Sequence, residues 1–585
     1  MPVDLGQGRR TRRRWVARAV LFAVLASGGP ASAEDFASAE ASYRAYLQRP
    51  SLFYRTRGRQ LLALTKDPRV VPILAQDYAK AENPADIVRS LIVTLATRNL
   101  HASAALLPAY EAWRSASPVP QDAWLWYRSL AIDLAHGGEA ALSAAEASSR
   151  SPWIRSAALR AAADRKDPRA LEAALKALPA LGAKTPMPKR SPPPKKGVSP
   201  LNPVAEAVHA ALLAEAAAHV LRRLSEDKGD ERWRQLAERV ILLLEDPGLS
   251  GVTRSRIARS LARVFGTDNL GLTTGPWLRE LAAAGAHEGG ENPTRDVTNY
   301  FFGMEVVGEH IAFVIDCSDS MLAPLGPKPK SGPTVTPDGG PSGRPRGPDD
   351  GLPWERIHNR FDLAREVLKR SLLALRQDQY FTVVLFGTEA ELLRDVKGMA
   401  PALPAAVASA VRALDDIQHD TARTDAEHPF GWLKGKTNLH GGVRKAFRVR
   451  ARDEASTSDY VDAVTLEEGC DAIYLLSDGA PSWDDWAMID TRDPDIQAGD
   501  SESRVNHENQ PTLTHFGPFV NAYGNDFIVD DIQRLNLFRQ VPVHCIAIGE
   551  ADDGVMRRIA QATGGKFERA AARKPSSAGA PQPEK

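Results

Sequence analysis

The run Ile311-Ala312-Phe313-Val314-Ile315 passes directly into Asp316-Cys317-Ser318-Asp319-Ser320, an unbroken apolar stretch ending in an acid and two alternating hydroxyls. Such a run predicts a strand covered on both faces. Three hard oxygen groups then sit at its C-terminal tip, a ligand type that suits Mg²⁺, which takes oxygen donors and keeps several waters. A second apolar run, Ile473-Tyr474-Leu475-Leu476-Ser477, ends in Asp478-Gly479, and Gly435-Lys436-Thr437-Asn438 opens an amphipathic segment between the two.

Strands and helices alternate around these runs. Strands are expected at 310–316, 380–386, 472–476 and 543–548, with an edge strand near 390–396 and a last one entered through 564–568. Helices are expected at 354–375, 403–414, 439–450, 530–538 and 553–562. Short all-apolar strands between helices predict an α/β domain over residues 296–572, with a mostly parallel sheet. Two insertions interrupt it. Residues 322–353 are rich in Pro, Gly and Ser and read as disordered. Residues 486–529 contain Phe516, Phe519, Tyr523 and Phe527 and are expected to pack. Asp484, Asp485 and Asp490 read as solvated loop acids, and the tail at 573–585 as disordered.

The three oxygen-bearing pieces, in this order, resemble the metal-ion-dependent adhesion site of von Willebrand factor A-type domains, D-x-S-x-S, then T, then D. The resemblance implies a doubly wound, Rossmann-like sheet whose strand order reverses between the strands ending in Asp316 and Asp478. Ligands of such sheets bind beyond the carboxyl ends of the strands at that reversal. It further implies that Ser318 and Ser320 coordinate the metal, and that Thr437 joins them directly or through a water. Asp316 and Asp478 would hold waters and orient the hydroxyls. The implied ion is Mg²⁺, or Mn²⁺ or Ca²⁺ in its place, and the implied partner is a protein presenting an Asp or Glu carboxylate. Gly435, Asn438 and Gly441 read as turn and helix-start residues.

Residues 34–284 are Ala/Leu-rich, with helical periodicity and little strand signal. Lys66-Asp67-Pro68-Arg69 returns as Arg165-Lys166-Asp167-Pro168-Arg169, and Asp-Pro before a helix supplies a cap and a pre-set first turn. Helix pairs of this kind resemble HEAT-like repeats, which implies a solenoid-like all-α region over 34–185, continued at 204–284 after a Pro-rich linker at 186–203. A plain helical bundle is the alternative.

The first 33 residues read as an export signal: an Arg cluster, the apolar stretch at 19–26, and Ala31-Ser32-Ala33 before Glu34. The apolar stretch is shorter than the roughly 20 residues a bilayer span needs. The mature chain is therefore expected outside the cytoplasm, periplasmic or secreted, with no membrane span. Removing this segment takes six Arg and one Asp from a chain of formal net charge +1, so the remainder is mildly acidic and offers no electrostatic case for nucleic acid. Cys317, Cys470 and Cys545 fall in or beside strands, and an odd count with none in loops points to buried free thiols.

Gly431 to Thr437 imitates a phosphate-binding loop but is one residue short, and no H-E-x-x-H, G-x-S-x-G or Cys-x-x-Cys motif occurs. The expected function is a non-enzymatic, Mg²⁺-dependent protein-binding module on a helical scaffold. The alternatives are a metal-dependent hydrolase, which lacks a visible general base, a metal-free scaffold, and a subunit of a cytoplasmic metal-chelatase machine, which the export signal disfavours.

Overall fold

In a computed structural model of the protein, the described residues are 35–48, scattered positions between 55 and 134, 152–178, 203–226, 228–267, 269–284, 299–325, 352–417, 435–454, 463–485, 526–549 and 551–570. The expected signal segment, nearly all of the Pro-rich linker, most of both insertions (with Asp490, Phe516, Phe519 and Tyr523) and the tail lie outside them.

The N-terminal half is helical: α1 (Asp35–Leu47), α2 (Pro152–Asp164), α3 (Arg169–Ala177), α4 (Pro203–Arg223), α5 (Glu231–Leu242), α6 (Gly251–Phe265) and α7 (Thr274–Ala283). Alanines make close packing possible here: Ala157, Ala158, Ala161 and Ala162 of α2 are all buried, and α2 lies along α4. Trp233 of α5 is fully buried and donates its indole N–H to Leu221 O of α4 at 3.1 Å. The two Asp-Pro-Arg segments fold alike, since Asp67 and Asp167 each accept from the backbone N–H of the following Arg at 2.9 Å and pair with its guanidinium. Pro168, the residue at the cap position of α3, makes no side-chain capping bond, so the Asp acts one residue earlier than expected. Helix α7, within the stretch expected to be helical, is anchored by Trp277, whose indole N–H donates to Gly271 O.

A hairpin opens the C-terminal half, β1 (Tyr300–Phe301) and β2 (Met304–Glu305). Phe302 and Gly303 both take positive φ (50° and 80°) in its two-residue turn, a geometry that follows strand twist. The usual Asn-Gly signal is missing, so the sequence hid this turn. The main strands are β3 (His310–Asp316), β4 (Tyr380–Phe386), β5 (Ala390–Leu392), β6 (Ala400–Pro401), β7 (Ala472–Ser477), β8 (Val543–Ala547) and β9 (Phe567–Arg569). Among the described residues they form a seven-stranded sheet of order β5-β4-β3-β7-β8-β9, with β6 also on β4. The pairs β3/β4, β3/β7, β7/β8 and β8/β9 are parallel, and β5 and β6 run antiparallel to β4.

Helices α8 (Arg360–Leu373), α9 (Pro404–Asp415), α10 (Leu439–Arg448), α11 (Ala463–Glu468), α12 (Asp526–Asn536) and α13 (Asp553–Thr563) connect these strands. Alternate residues of β3 face opposite ways. Ile311, Phe313 and Ile315 share a core with Phe361, Val367 and Leu368 of α8. Ala312 and Val314 join Leu439, Val443 and Phe447 of α10 in a core that continues into the N-terminal helices. Gly442 of α10 allows that approach, since a Cβ there would stand 2.8 Å from the Phe386 ring.

Several boundaries move. The helix expected at 354–375 splits into a 3-10 turn at Trp354–Arg356 and α8, because the Asn359 side chain caps α8 by accepting from Asp362 N at 2.8 Å. The second insertion ends earlier than 529, as α12 begins at Asp526 with Phe527 buried. The edge strand is confined to Ala390–Leu392. All three cysteines are buried free thiols. No helix among the described residues is long and apolar enough to cross a membrane.

Candidate functional site

β3 and β7 are parallel neighbours; β3 ends in Asp316 and β7 is followed at once by Asp478, at the same edge of the sheet. Asp316 is fully buried: one carboxylate oxygen accepts from Ser318 N at 2.8 Å and the other from the Ser477 hydroxyl at 2.5 Å. The first bond turns the chain sharply after the strand, so the Ser318 and Ser320 hydroxyls come within 3.0 Å of one another. Ser320 donates to Asp478 Oδ1 at 2.7 Å, tying the β3 turn to the tip of β7.

Thr437 arrives from the loop before α10. That loop is pinned on both sides: Asp319 N donates to Gly435 O and Gly435 N to an Asp319 carboxylate oxygen, each at 3.1 Å. Thr437 exchanges backbone and side-chain bonds with Ser482, at 3.0 Å each. Gly435 has φ +105°, and a Cβ on it would meet Thr388 Oγ1 at 2.5 Å. Asn438 caps α10 by accepting from Gly441 N at 2.7 Å. Gly435, Asn438 and Gly441 thus build the turn and helix start.

Gly479 closes the site. A Cβ there would lie 3.0 Å from Thr437 Oγ1 and 3.5 Å from Ser320 Oγ, so the absent side chain leaves a cradle between hydroxyls from two separate loops. All five residues singled out from the sequence, Asp316, Ser318, Ser320, Thr437 and Asp478, gather around it.

The electrostatics are those of two carboxyls held close together out of water. Burial pushes Asp316 up to about 7, and the neighbouring Asp478 adds to the rise. Burial also raises Asp478, against the lowering effect of its bonds from Ser320 and Arg360. The donor set fits a small hard cation. Its oxygens come from hydroxyls and carboxylates, and the 3.0 Å between Ser318 Oγ and Ser320 Oγ matches the spacing of adjacent ligands at about 2.1 Å from an octahedral ion. No cluster of three or more His, Cys, Asp or Glu with metal-binding geometry occurs among the described residues.

Three contributors escaped the sequence reading. Ser477 holds the far oxygen of Asp316. Ser482 fixes Thr437. Arg360, the first residue of α8, places its guanidinium 2.7 Å from Asp478 Oδ2 and lies against Gly549, where a Cβ would collide with it. One signal for Arg360 was available: a cation in the first turn opposes the helix dipole and needs an acid nearby. Asp484 is corrected. Asp484 is fully buried and belongs to the packed loop beneath α10, whereas Asp485 stays exposed as expected while accepting from Asn438 Nδ2 at 2.7 Å and pairing with Arg444. The reason is local: the backbone bonds between Thr437 and Ser482 draw the chain after Asp478 inward.

In comparisons with known proteins, no family model and no curated protein matches the chain.

Proposed function

We propose that the hydroxyl-lined edge of the sheet binds Mg²⁺, with Mn²⁺ or Ca²⁺ as substitutes, and through it a carboxylate on a protein partner, without catalysis. The observation that carries this reading is the meeting of Ser318, Ser320 and Thr437 hydroxyls over buried Asp316 and Asp478, from three segments, the first more than a hundred residues from the other two in sequence. Neutral hydroxyl ligands would leave a bound ion's charge poorly compensated and so make an outside oxyanion a favourable sixth donor. Asp316 would orient the turn, Asp478 would hold Ser320, and Ser477 would fix the Asp316 carboxylate. In this proposal the sheet is a doubly wound domain of the von Willebrand factor A type, the N-terminal helices are a HEAT-like scaffold, and the protein works outside the cytoplasm.

Calorimetric Mg²⁺ titration of the full chain, followed by capture of partners in Mg²⁺ and in chelator, tests the proposal. Saturable binding and chelator-sensitive capture are expected. Arg360 favours a second reading, a metal-free scaffold in which the guanidinium already beside Asp478 is the site's cation. Capture undiminished by chelator would select that reading over the first.

A further inference from the structure

At the opposite end of the same strands lies a cavity of about 420 Å³ between the N-terminal helices and the sheet. Gly308 and Asp471, which precede β3 and β7, form part of its floor, and α4, α6 and α12 contribute to its walls. Seven arginines line it against three carboxylates, an excess of four positive charges.

The carboxylates are already committed. Asp164 accepts from Tyr127 OH at 2.8 Å and pairs with His219 and Arg223, each at 2.9 Å. Asp471 pairs with Arg259 at 2.6 Å and accepts from Glu309 N. Glu215 lies 3.3 Å from Arg256 but only 4.0 Å from Arg160. Arg160 and Arg256 are not satisfied in return. Arg160 is 0% exposed, yet neither of its terminal nitrogens makes a hydrogen bond, and Arg256 leaves Nε and Nη2 unpartnered. Arg222 and Arg263 have no carboxylate partner among the described residues, and burial, with Arg263 the leading charged neighbour, pushes Arg222 down to about 10. Buried guanidinium donors left unmade are costly, so a wall that keeps them points to a ligand that satisfies them.

We propose that this cavity binds a compact polyanion carrying phosphoryl groups, of di- or triphosphate charge, with Arg160 and Arg256 as its buried anchors. The guanidinium fork matches phosphoryl oxygens two at a time, and the four-charge excess suits a ligand of similar negative charge. Tyr127 is the one aromatic side chain, besides the His219 ring, among the described lining residues, and its hydroxyl donates to Asp164. Pockets between packed units are common ligand sites, and this volume falls in their range. The inference is independent of the cation site and survives its failure.

Inorganic pyrophosphate and triphosphate, titrated calorimetrically into the full chain at matched ionic strength, are the probes. Citrate is the carboxylate control and sulfate the simple-anion control. Triphosphate is expected to bind with a Kd on the order of micromolar and to raise Tm, because it would join the helices to the sheet. Arg263→Gln is expected to weaken it about tenfold. Arg160→Met is expected to abolish the ligand-induced rise in Tm while leaving the ligand-free protein at least as stable, since it removes a buried charge whose terminal nitrogens make no hydrogen bond. The proposal is overturned if no phosphoryl anion binds beyond the sulfate control, if citrate binds as tightly as triphosphate, or if Arg263→Gln binds like wild type. If Arg160→Met does not fold, Arg263→Gln alone decides.

Discussion

The two ends of the central strands carry opposite chemistry on one scaffold. At the carboxyl end of β3 and β7, hydroxyls surround two buried carboxyls, and the charge still to be compensated is negative. At the amino end, arginines from several helices surround an open space, and the excess is positive. Strand β7 has six residues, so the two ends stand about 20 Å apart at roughly 3.3 Å per residue. The contrast shows where each kind of site comes from. The carboxyl-end site is made by loops that leave adjacent strands, whereas the amino-end cavity exists only because a second, helical unit packs there.

The largest expected effect falls on the carboxyl end. Asp316→Ala and Asp478→Ala should each abolish measurable Mg²⁺ binding while circular dichroism stays native, because apolar burial in two sheet cores supplies most of the stability. Retention of wild-type affinity in either variant would remove these residues from the site. Neither variant should alter triphosphate binding at the other end, since residues this far apart with no shared partner act additively. Coupling between them would mean that the ends communicate through the sheet.

A smaller effect is expected at Arg360. Its guanidinium competes with any bound cation for Asp478, so Arg360→Gln should tighten Mg²⁺ binding by about tenfold in a titration at pH 8, above the raised value of Asp316. Weaker binding would instead make Arg360 a residue that positions Asp478. Thr437→Ala removes one neutral donor and should weaken Mg²⁺ by about fivefold, with partner capture reduced in step. Unchanged capture together with weakened Mg²⁺ would separate the two activities.

How much of this was legible differs between the ends, for a physical reason. Asp316, Ser318, Ser320, Thr437 and Asp478 could be found because each follows an apolar run or opens an amphipathic one. Strand direction then dictates that they meet. Arg160, Glu215, Arg256 and Asp471 sit on helix faces or strand starts whose partners are fixed only by tertiary packing, and no periodicity signals which arginine stays unpaired. The sheet was readable from its all-apolar strands. The hairpin at Phe302-Gly303 and the split before α8 were not, since both depend on local backbone choices that a neighbouring core enforces. Asp484 was misread for the same reason: acids in a loop look solvated until the loop is known to fold inward.

The smallest effect at neutral pH, and the one that separates the two ends by acid, is expected at His544. It lies on β8, stacked on Tyr474 at 4.8 Å, and its Nδ1 accepts from Lys566 N at 3.2 Å, so the ring is held neutral. Burial, with Lys566 and Arg263 adding, pushes it down from 6.5 to about 4. A histidine lowered in this way binds its proton more readily in the unfolded chain than in the folded one. Its contribution to stability is therefore complete above about pH 6.5 and is lost as pH falls towards 4. Asparagine in its place keeps an acceptor for Lys566 N but cannot take up a proton. His544→Asn should leave Tm within a few degrees of wild type at pH 7.5 and flatten its decline between pH 6.5 and 4. If the decline is as steep in the variant as in the wild type, His544 is not what makes this end acid-sensitive, and the loss must come from other groups that titrate in that range.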